Sequence, residues 1–141
     1  MTRIFFAIIM ILAGLGTSAA AAKTLVAEID LSSQQLTVVY KGEALARWKV
    51  STGRAGFRTP PGTFRPQRMY REYFSRQYDG APMPNSVFYD AGYAIHGSYE
   101  TSSLGRPASH GCIRLSPANA EKFFDLVVTV GAENTAIRVL P

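Results

Sequence analysis

The sequence predicts a mainly β fold with one substantial helix near the C-terminus. From Thr24 onward, short stretches of alternating apolar and polar residues recur, which is the pattern of strands with one buried face. The segment after Ser116 combines a helix N-cap with apolar residues at helical spacing. About 120 residues follow the apolar N-terminal segment, which suits one compact domain.

The first residues have the organisation of a secretory signal peptide. Arg3 is followed by an apolar run, Ile4 to Leu15, and then by an alanine-rich segment. The apolar run is shorter than the roughly 20 residues that span a bilayer. We therefore expect residues 1–22 to be a signal peptide and residues 23–141 to be an exported domain in the periplasm or cell envelope, without stable membrane insertion.

The first half of this domain is predicted to form a meander of three antiparallel strands. Leu25 to Leu31 and Leu36 to Tyr40 are the first two, separated by a polar break. Lys41-Gly42 predicts a tight turn into the third. One face of that strand is expected to be buried, formed by Ala44, Ala46, Trp48 and Val50.

The second half contains an aromatic segment and the helix. Residues 69–90 are rich in aromatic residues, glycine and proline, which predicts a long, partly ordered segment that is either a surface loop packed by its own rings or a lid or wall of a substrate site. A short strand is expected from Tyr93 to His96, and a last one from Ala136 to Leu140. Ser116 and Pro117 predict the start of the helix, whose apolar face should be Phe123, Phe124, Val127 and Val128.

Charge and cysteine content narrow the classes of function. The net charge of +5 comes from basic residues spread along the chain, so we expect no nucleic-acid partner. Cys112 is the single cysteine, and no intramolecular disulfide can form. An unpaired thiol in an oxidising compartment is prone to oxidation. Its presence in an exported protein therefore favours a reactive nucleophile.

Both histidines of the chain, His96 and His110, are close to Cys112 in sequence. A thiol with an ordinary pKa of about 8.5 needs a neighbouring base to react at neutral pH. His110 shares a face with the cysteine if the segment is extended, whereas a turn at Gly111 would direct the two apart. His96 would have to be brought opposite the sulfur by folding. The spacing leaves this choice open.

The residues around the cysteine resemble a known family signature. The run Ser109-His110-Gly111-Cys112-Ile113-Arg114 resembles that of the L,D-transpeptidase catalytic domain, also called the YkuD domain. An upstream His96-Gly97 and the motifs Val50 to Gly53 and Thr59 to Phe64 also resemble the family pattern. The resemblance covers nearly all of Leu25 to Leu140.

The resemblance implies a β-sandwich domain that works without a cofactor or metal. It implies that Cys112 is the nucleophile and His96 the general base and acid, with a backbone carbonyl near Gly97 or Ser98 orienting the imidazole. Main-chain N–H groups around Gly111 and Cys112 would stabilise the oxyanion. The substrate-binding residues would be Ser109, His110, Gly111, Arg114 and Gly97. Arg114 would bind a substrate carboxylate or belong to a buried ion pair.

The implied reaction is acyl transfer on peptidoglycan stem peptides, in cell-wall cross-linking or remodelling. The thiolate would attack the L-centre carbonyl of the third residue, release the terminal D-alanine and form a thioester that an amine resolves. The acceptor stays open between a stem peptide, a D-amino acid, a wall-anchored protein and water. Water would make the protein an L,D-carboxypeptidase. We expect a monomer.

Two other classes of function also stay open. His96, His110 and Cys112 could form a metal-binding module, because zinc and copper sites use these side chains. Alternatively, the chain could be a non-catalytic wall-binding domain with an inert buried cysteine.

Overall fold

The computed structural model describes residues 22–141, and nearly all of the predicted signal peptide lies outside the described residues. The mainly β prediction with one long helix is confirmed. The elements are β1 (Leu25–Asp30), β2 (Gln35–Tyr40), β3 (Glu43–Lys49), β4 (Gly62–Phe64), β5 (Arg68–Tyr70), β6 (Ser86–Asp90), β7 (Tyr93–Gly97), β8 (Ile113–Leu115), α1 (Pro117–Val130) and β9 (Thr135–Leu140), with short 3-10 turns at Thr101–Ser103 and Ala132–Asn134.

The strands form two sheets. The first has the order β3-β2-β1-β9-β4 and the second the order β5-β6-β7-β8. The predicted meander is confirmed, because β1, β2 and β3 pair antiparallel in succession. Lys41 and Gly42 both have positive φ, 49° and 83°, as a two-residue type I′ turn requires. The last strand, β9, pairs parallel with β1 and antiparallel with β4, and so lies inside the first sheet.

The predicted buried face of the third strand is largely wrong. β3 is the edge of its sheet; Ala44 is exposed, and Ala46 and Trp48 are only half buried. A register shift between Val38 and Val39 in the neighbouring strand changes the pairing here. An edge strand has a neighbour on one side only, so its alternation of apolar residues does not guarantee burial.

The aromatic segment is more ordered than a loop. Its two ends pair as β5 and β6, which are the ordered parts of the partly ordered segment predicted over 69–90. Residues 71–85 between these strands form a hairpin-like extension, which we call the flap; within it Phe74 and Pro82 form an antiparallel bridge. Aromatic residues favour strands as well as loops, and the glycine and proline residues lie mainly in the part that projects.

The helix begins where the sequence predicts. The Ser116 hydroxyl accepts a hydrogen bond from the Asn119 N–H, Pro117 occupies the first turn, and Gly131 ends the helix with φ 96°. Val128 does not belong to the buried face, since it is 60% exposed. The residues that α1 buries are Ala120, Phe123, Phe124 and Val127. Across residues 22–141, no helix is long and apolar enough to cross a membrane.

The pairing of β7 with β8 positions the site. These strands are parallel, with Ile95 opposite Ile113 and His96 opposite Arg114. The two isoleucines belong to the main buried core. Because side chains alternate along a strand, His96 and Arg114 lie on the other face of the sheet, away from that core.

Candidate active site

The candidate nucleophile and the candidate base come from adjacent parts of one sheet and line one cavity. Cys112 immediately precedes β8, two residues before the Arg114 that faces His96 on β7. Cys112 and His96 are therefore diagonal neighbours on the same face of the sheet. Both line a cavity of about 1050 Å³.

His96 is held in the tautomer that a general base requires. Its Nδ1 lies 2.7 Å from the carbonyl oxygen of Gly97. A carbonyl can only accept, so Nδ1 carries the hydrogen and Nε2 keeps a free lone pair. Burial lowers the pKa of His96 to about 4, with the nearby Arg114 charge adding to the effect and the Gly97 hydrogen bond opposing it. His96 is therefore neutral at neutral pH.

Cys112 is a protonated thiol in the resting site. Burial raises its pKa, which a hydrogen bond from the Ala94 main chain and the Arg114 charge partly offset. The sulfur lies 3.7 Å from the carbonyl oxygen of Gly92, toward which the thiol donates. A neutral thiol beside a neutral imidazole favours removal of the proton as the sulfur attacks, rather than a preformed ion pair.

Residues 109–112, which end in Cys112, form a hydrogen-bonded turn that we call the catalytic loop. The Ser109 hydroxyl donates to the Cys112 carbonyl at 2.6 Å and accepts from the Gly111 N–H at 3.0 Å. The Thr59 hydroxyl donates to the Gly111 carbonyl at 2.8 Å. Ser109 and Gly111 thus hold the loop together, and Ser109 also lines the cavity.

This arrangement corrects the predicted oxyanion site. The Gly111 N–H already donates to Ser109, so it is not a free donor. Among the described residues, the Cys112 N–H donates to no other group. It is the main-chain donor of the loop that is left for the oxyanion of a carbonyl group attacked by the sulfur.

The turn at Gly111 settles the orientation of His110. Gly111 has φ 123°, a conformation that L side chains rarely adopt, so the segment from His110 to Cys112 is not extended and the two side chains do not share a strand face. Nη2 of Arg54 lies 3.1 Å from Nε2 of His110. Arginine can only donate, so Nε2 of His110 accepts this hydrogen bond and its lone pair is not free. Of the two histidines, His96 is the one with a free lone pair in the cavity.

Two aromatic rings pack against His110. Tyr78 from the flap stacks on the imidazole with ring centroids 4.1 Å apart and an interplanar angle of 13°. Phe57 meets it edge-on at 4.9 Å. Partial burial and the charges of Arg54 and Arg114 lower the pKa of His110. Sequence reasoning identified neither Tyr78 nor Phe57 as a neighbour of the site.

Comparisons with known proteins agree with this geometry. A family model described as the L,D-transpeptidase catalytic domain, YkuD, matches residues 24–138. The chain belongs to this family. The match confirms the resemblance carried by the residues around Cys112. No curated protein matches the chain.

Solved structures give the same fold. An L,D-transpeptidase from Mycobacterium smegmatis is 27% identical with a TM-score of 0.73, over 84% of this chain and 59% of that one. The L,D-transpeptidase of Xylanimonas cellulosilytica is 27% identical with a TM-score of 0.73, over 91% and 66%. The transpeptidase LdtMt1, in complex with imipenem, has the same identity and TM-score over 84% and 59%. The chain covers less than two thirds of the length of each.

Two predicted site residues of this YkuD domain remain: Arg114 lines the cavity, and Gly97 lies behind it. Arg114 lines the cavity and bonds Glu100 at 3.1 Å, with side chains 19% and 71% exposed. The ion pair is therefore not fully buried. Gly97 lies behind the site, where an added Cβ would come within 3.0–3.3 Å of Pro84, Pro117 and Ala120. Its contribution is its carbonyl, which fixes His96.

The flap forms one wall of the cavity. Of the two predictions for this segment, a self-packed loop or a lid, its position favours the second. The opposite wall comes from the turn around Phe57 and from the segment after β7. The flap residues that line the cavity are Ser75, Gln77, Tyr78, Asp79, Ala81, Pro82 and Met83.

The metal-binding alternative finds no support in the part of the chain that the structure describes. There, no group of three His, Cys, Asp or Glu side chains is arranged to hold a metal ion. Nε2 of His110 is bonded by Arg54 and is therefore not available as a ligand.

The buried His96 predicts a loss of stability in acid. Its pKa is about 4 in the folded state, against 6.5 as the model value. Between these two pH values the unfolded chain binds a proton that the folded chain does not. The free energy of unfolding should therefore fall as the pH drops through this window, by about 3 kcal/mol in total.

Urea unfolding of the wild type and of His96→Gln at pH 7 and pH 4 measures this effect. The wild type should lose more stability on acidification than His96→Gln, by roughly the 3 kcal/mol above. His110→Gln is the matched control, since His110 is much less buried and its substitution should keep most of the wild-type loss. Equal acid sensitivity in the wild type and His96→Gln would show that His96 does not carry this term.

Proposed function

We propose that this YkuD domain transfers acyl groups of peptidoglycan stem peptides through a thioester on Cys112. One observation supports this most strongly: burial keeps His96 neutral and the Gly97 carbonyl fixes its tautomer, with its free nitrogen in the cavity that also contains the thiol. This is the arrangement of a general base beside a nucleophile. The domain would act as a monomer. Its location would be the periplasm or cell envelope, which the leader-like residues 1–22 support.

Acylation uses groups that are already in position. Nε2 of His96 removes the thiol proton as the sulfur attacks the carbonyl carbon at the L-centre of the third stem residue. The oxyanion forms near the Cys112 N–H. The bond to the terminal D-alanine then breaks, and the imidazolium of His96 returns its proton to the departing amine. The products are free D-alanine and a thioester on Cys112.

Deacylation runs through the same residues. An acceptor amine attacks the thioester carbonyl and loses a proton to His96, and the C–S bond breaks. The sulfur leaves as a thiolate and recovers a proton from the imidazolium. If water takes the place of the amine, the product is a shortened stem peptide, and the reaction is that of an L,D-carboxypeptidase. The acylation step is common to both outcomes.

The cavity offers charge for an anionic substrate. Arg58 lines the cavity, and so does Arg114. The pair of Arg114 with the exposed Glu100 is of the kind that contributes only about 0–1 kcal/mol, so a substrate carboxylate can displace Glu100 at small cost. We propose that Arg114 binds a carboxylate of the stem peptide in this way.

Mass spectrometry of the protein with disaccharide-tetrapeptide tests the proposal. We expect release of D-alanine, a covalent acyl mass on the wild type and cross-linked products. Cys112→Ala should give none of these. Tripeptide without cross-links would identify the carboxypeptidase alternative. Absence of both products and of any acyl mass would contradict the catalytic assignment.

Imipenem provides a second probe, because the similar transpeptidase LdtMt1 was solved in complex with it. We expect the wild type to gain the mass of imipenem on Cys112, and Cys112→Ala to gain nothing. An adduct on both proteins would mean that the label does not report on this thiol.

A further inference from the structure

We propose that Tyr78 determines how the Cys112 thioester is partitioned between amine acceptors and water, by fastening the flap tip to the catalytic loop through His110. This inference rests on the proposed function and names the residue that would favour transfer over hydrolysis. It follows from three features: a preformed flap tip, a fixed His110 and an anchored flap base.

The flap tip, residues 75–81, is a turn stabilised by its own hydrogen bonds. The Tyr78 N–H donates to the Ser75 hydroxyl at 3.0 Å. The Gly80 N–H donates to the Ser75 carbonyl and the Ala81 N–H to the Tyr78 carbonyl, both at 3.0 Å. These bonds make the tip a compact unit whose position depends on what it contacts. The stack of Tyr78 on His110 joins it to the loop that ends in the nucleophile.

His110 is a fixed partner for this stack. Arg54 bonds its Nε2 and also lies over the Phe57 ring, with its guanidinium carbon 4.7 Å from the ring centroid. Phe57 in turn packs edge-on against His110. The imidazole is thus held from two sides before Tyr78 covers a face. Aromatic contacts of this kind contribute about 0.5–1.5 kcal/mol, enough to bias a flap tip between attached and detached states.

The base of the flap is anchored independently. Arg71 bonds Asp125 of α1 at 2.6 Å and the Asn85 side chain at 3.2 Å. Its guanidinium carbon also lies 4.1 Å from the centroid of the Phe124 ring. Loss of the Tyr78 contact should therefore free the tip without unfolding the flap.

The position of the tip matters most after acylation. Water is present everywhere at high concentration, so an amine reacts first only if it is bound and oriented beside the thioester. The attached tip supplies a cavity wall against which an acceptor can bind, including Gln77 and Asp79. A detached tip removes this wall and admits water. Acylation depends on His96 and on Cys112, which packs against the cluster of Met83, Phe88 and Ala94 and not against Tyr78, so it should change much less.

The test compares Tyr78→Ala with Tyr78→Phe and with a control elsewhere in the flap, Phe74→Ala. Phe74 is 54% exposed and does not line the cavity. Each protein is incubated with disaccharide-tetrapeptide, and two quantities are measured: the rate of Cys112 acylation and the ratio of cross-linked product to hydrolysed tripeptide. Thermal unfolding of each variant verifies that it is folded.

We expect Tyr78→Ala to lower the ratio of transfer to hydrolysis by at least about tenfold. Tyr78→Phe keeps the ring and should keep the ratio, as should Phe74→Ala. An unchanged ratio in Tyr78→Ala, an equal fall in Phe74→Ala, or a wild type that yields tripeptide alone overturns the inference while the thioester mechanism stands. A wild type that is never acylated overturns the proposed function and this inference together.

Discussion

Replacing His96 with glutamine is expected to slow acylation of Cys112 by about 10²–10⁴-fold, the usual contribution of a positioned general base. The reason is that burial keeps the thiol protonated, so the attack needs a group that removes the proton. Stopped incubations with tetrapeptide or imipenem, followed by mass spectrometry of the intact protein, give the rate. Glutamine is close to histidine in size, which limits the disturbance of the buried pocket.

The pH dependence distinguishes a base from a merely structural residue. In the wild type, His96 stays neutral down to a pH of about 4, so its ability to accept the proton should persist in mild acid. In His96→Gln, only solvent can remove the thiol proton, and the residual rate should rise with pH. The gap between the two proteins should therefore narrow above neutral pH.

The matched control for this experiment is the other histidine. His110→Gln loses the contacts with Arg54 and Tyr78 but leaves His96 and its carbonyl partner intact. We expect a loss of acylation rate of no more than about tenfold, since the nucleophile is displaced slightly and no proton transfer is removed. A larger loss in His110→Gln than in His96→Gln would reverse the assignment of the base.

Local patterns were sufficient to predict the elements whose structure depends on neighbours in sequence. The Lys41-Gly42 turn and the Ser116 cap satisfy backbone requirements within a few residues, so their residue types are informative. Burial depends on what the rest of the chain places nearby. Val128 and Ala44 fit apolar patterns, yet nothing covers them fully, and no local pattern reveals this.

The same contrast between local sequence and tertiary structure applies to the candidate site. Residue types identified Cys112 and both histidines, but the choice between the histidines depended on the φ angle at Gly111 and on the register of β7 against β8. The partners of the two histidines show the same division. Gly97 follows His96 directly, whereas Tyr78 reaches His110 from the flap, far away in sequence. Contacts of the second kind depend on tertiary structure.

Gly111→Ala is expected to destabilise the protein by about 2–5 kcal/mol, because it combines backbone strain with overpacking. The φ of 123° disfavours any side chain, and an added Cβ would lie 2.6 Å from Cε1 of Tyr93. The catalytic loop would have to shift, and a displacement of about 1 Å at Cys112 is enough to slow acylation by about 10²-fold. Urea unfolding and the acylation assay measure the two effects.

A second substitution separates the two causes. Tyr93→Leu removes the ring that the new Cβ would meet, so the double variant Gly111→Ala/Tyr93→Leu should lose less stability than the sum of the single variants. The part due to φ should remain, because leucine at position 93 does not change the backbone at Gly111. If the losses are additive, the ring contact contributes nothing and backbone strain accounts for the whole effect. If Gly111→Ala is as stable and as active as the wild type, the catalytic loop does not depend on the backbone conformation at Gly111.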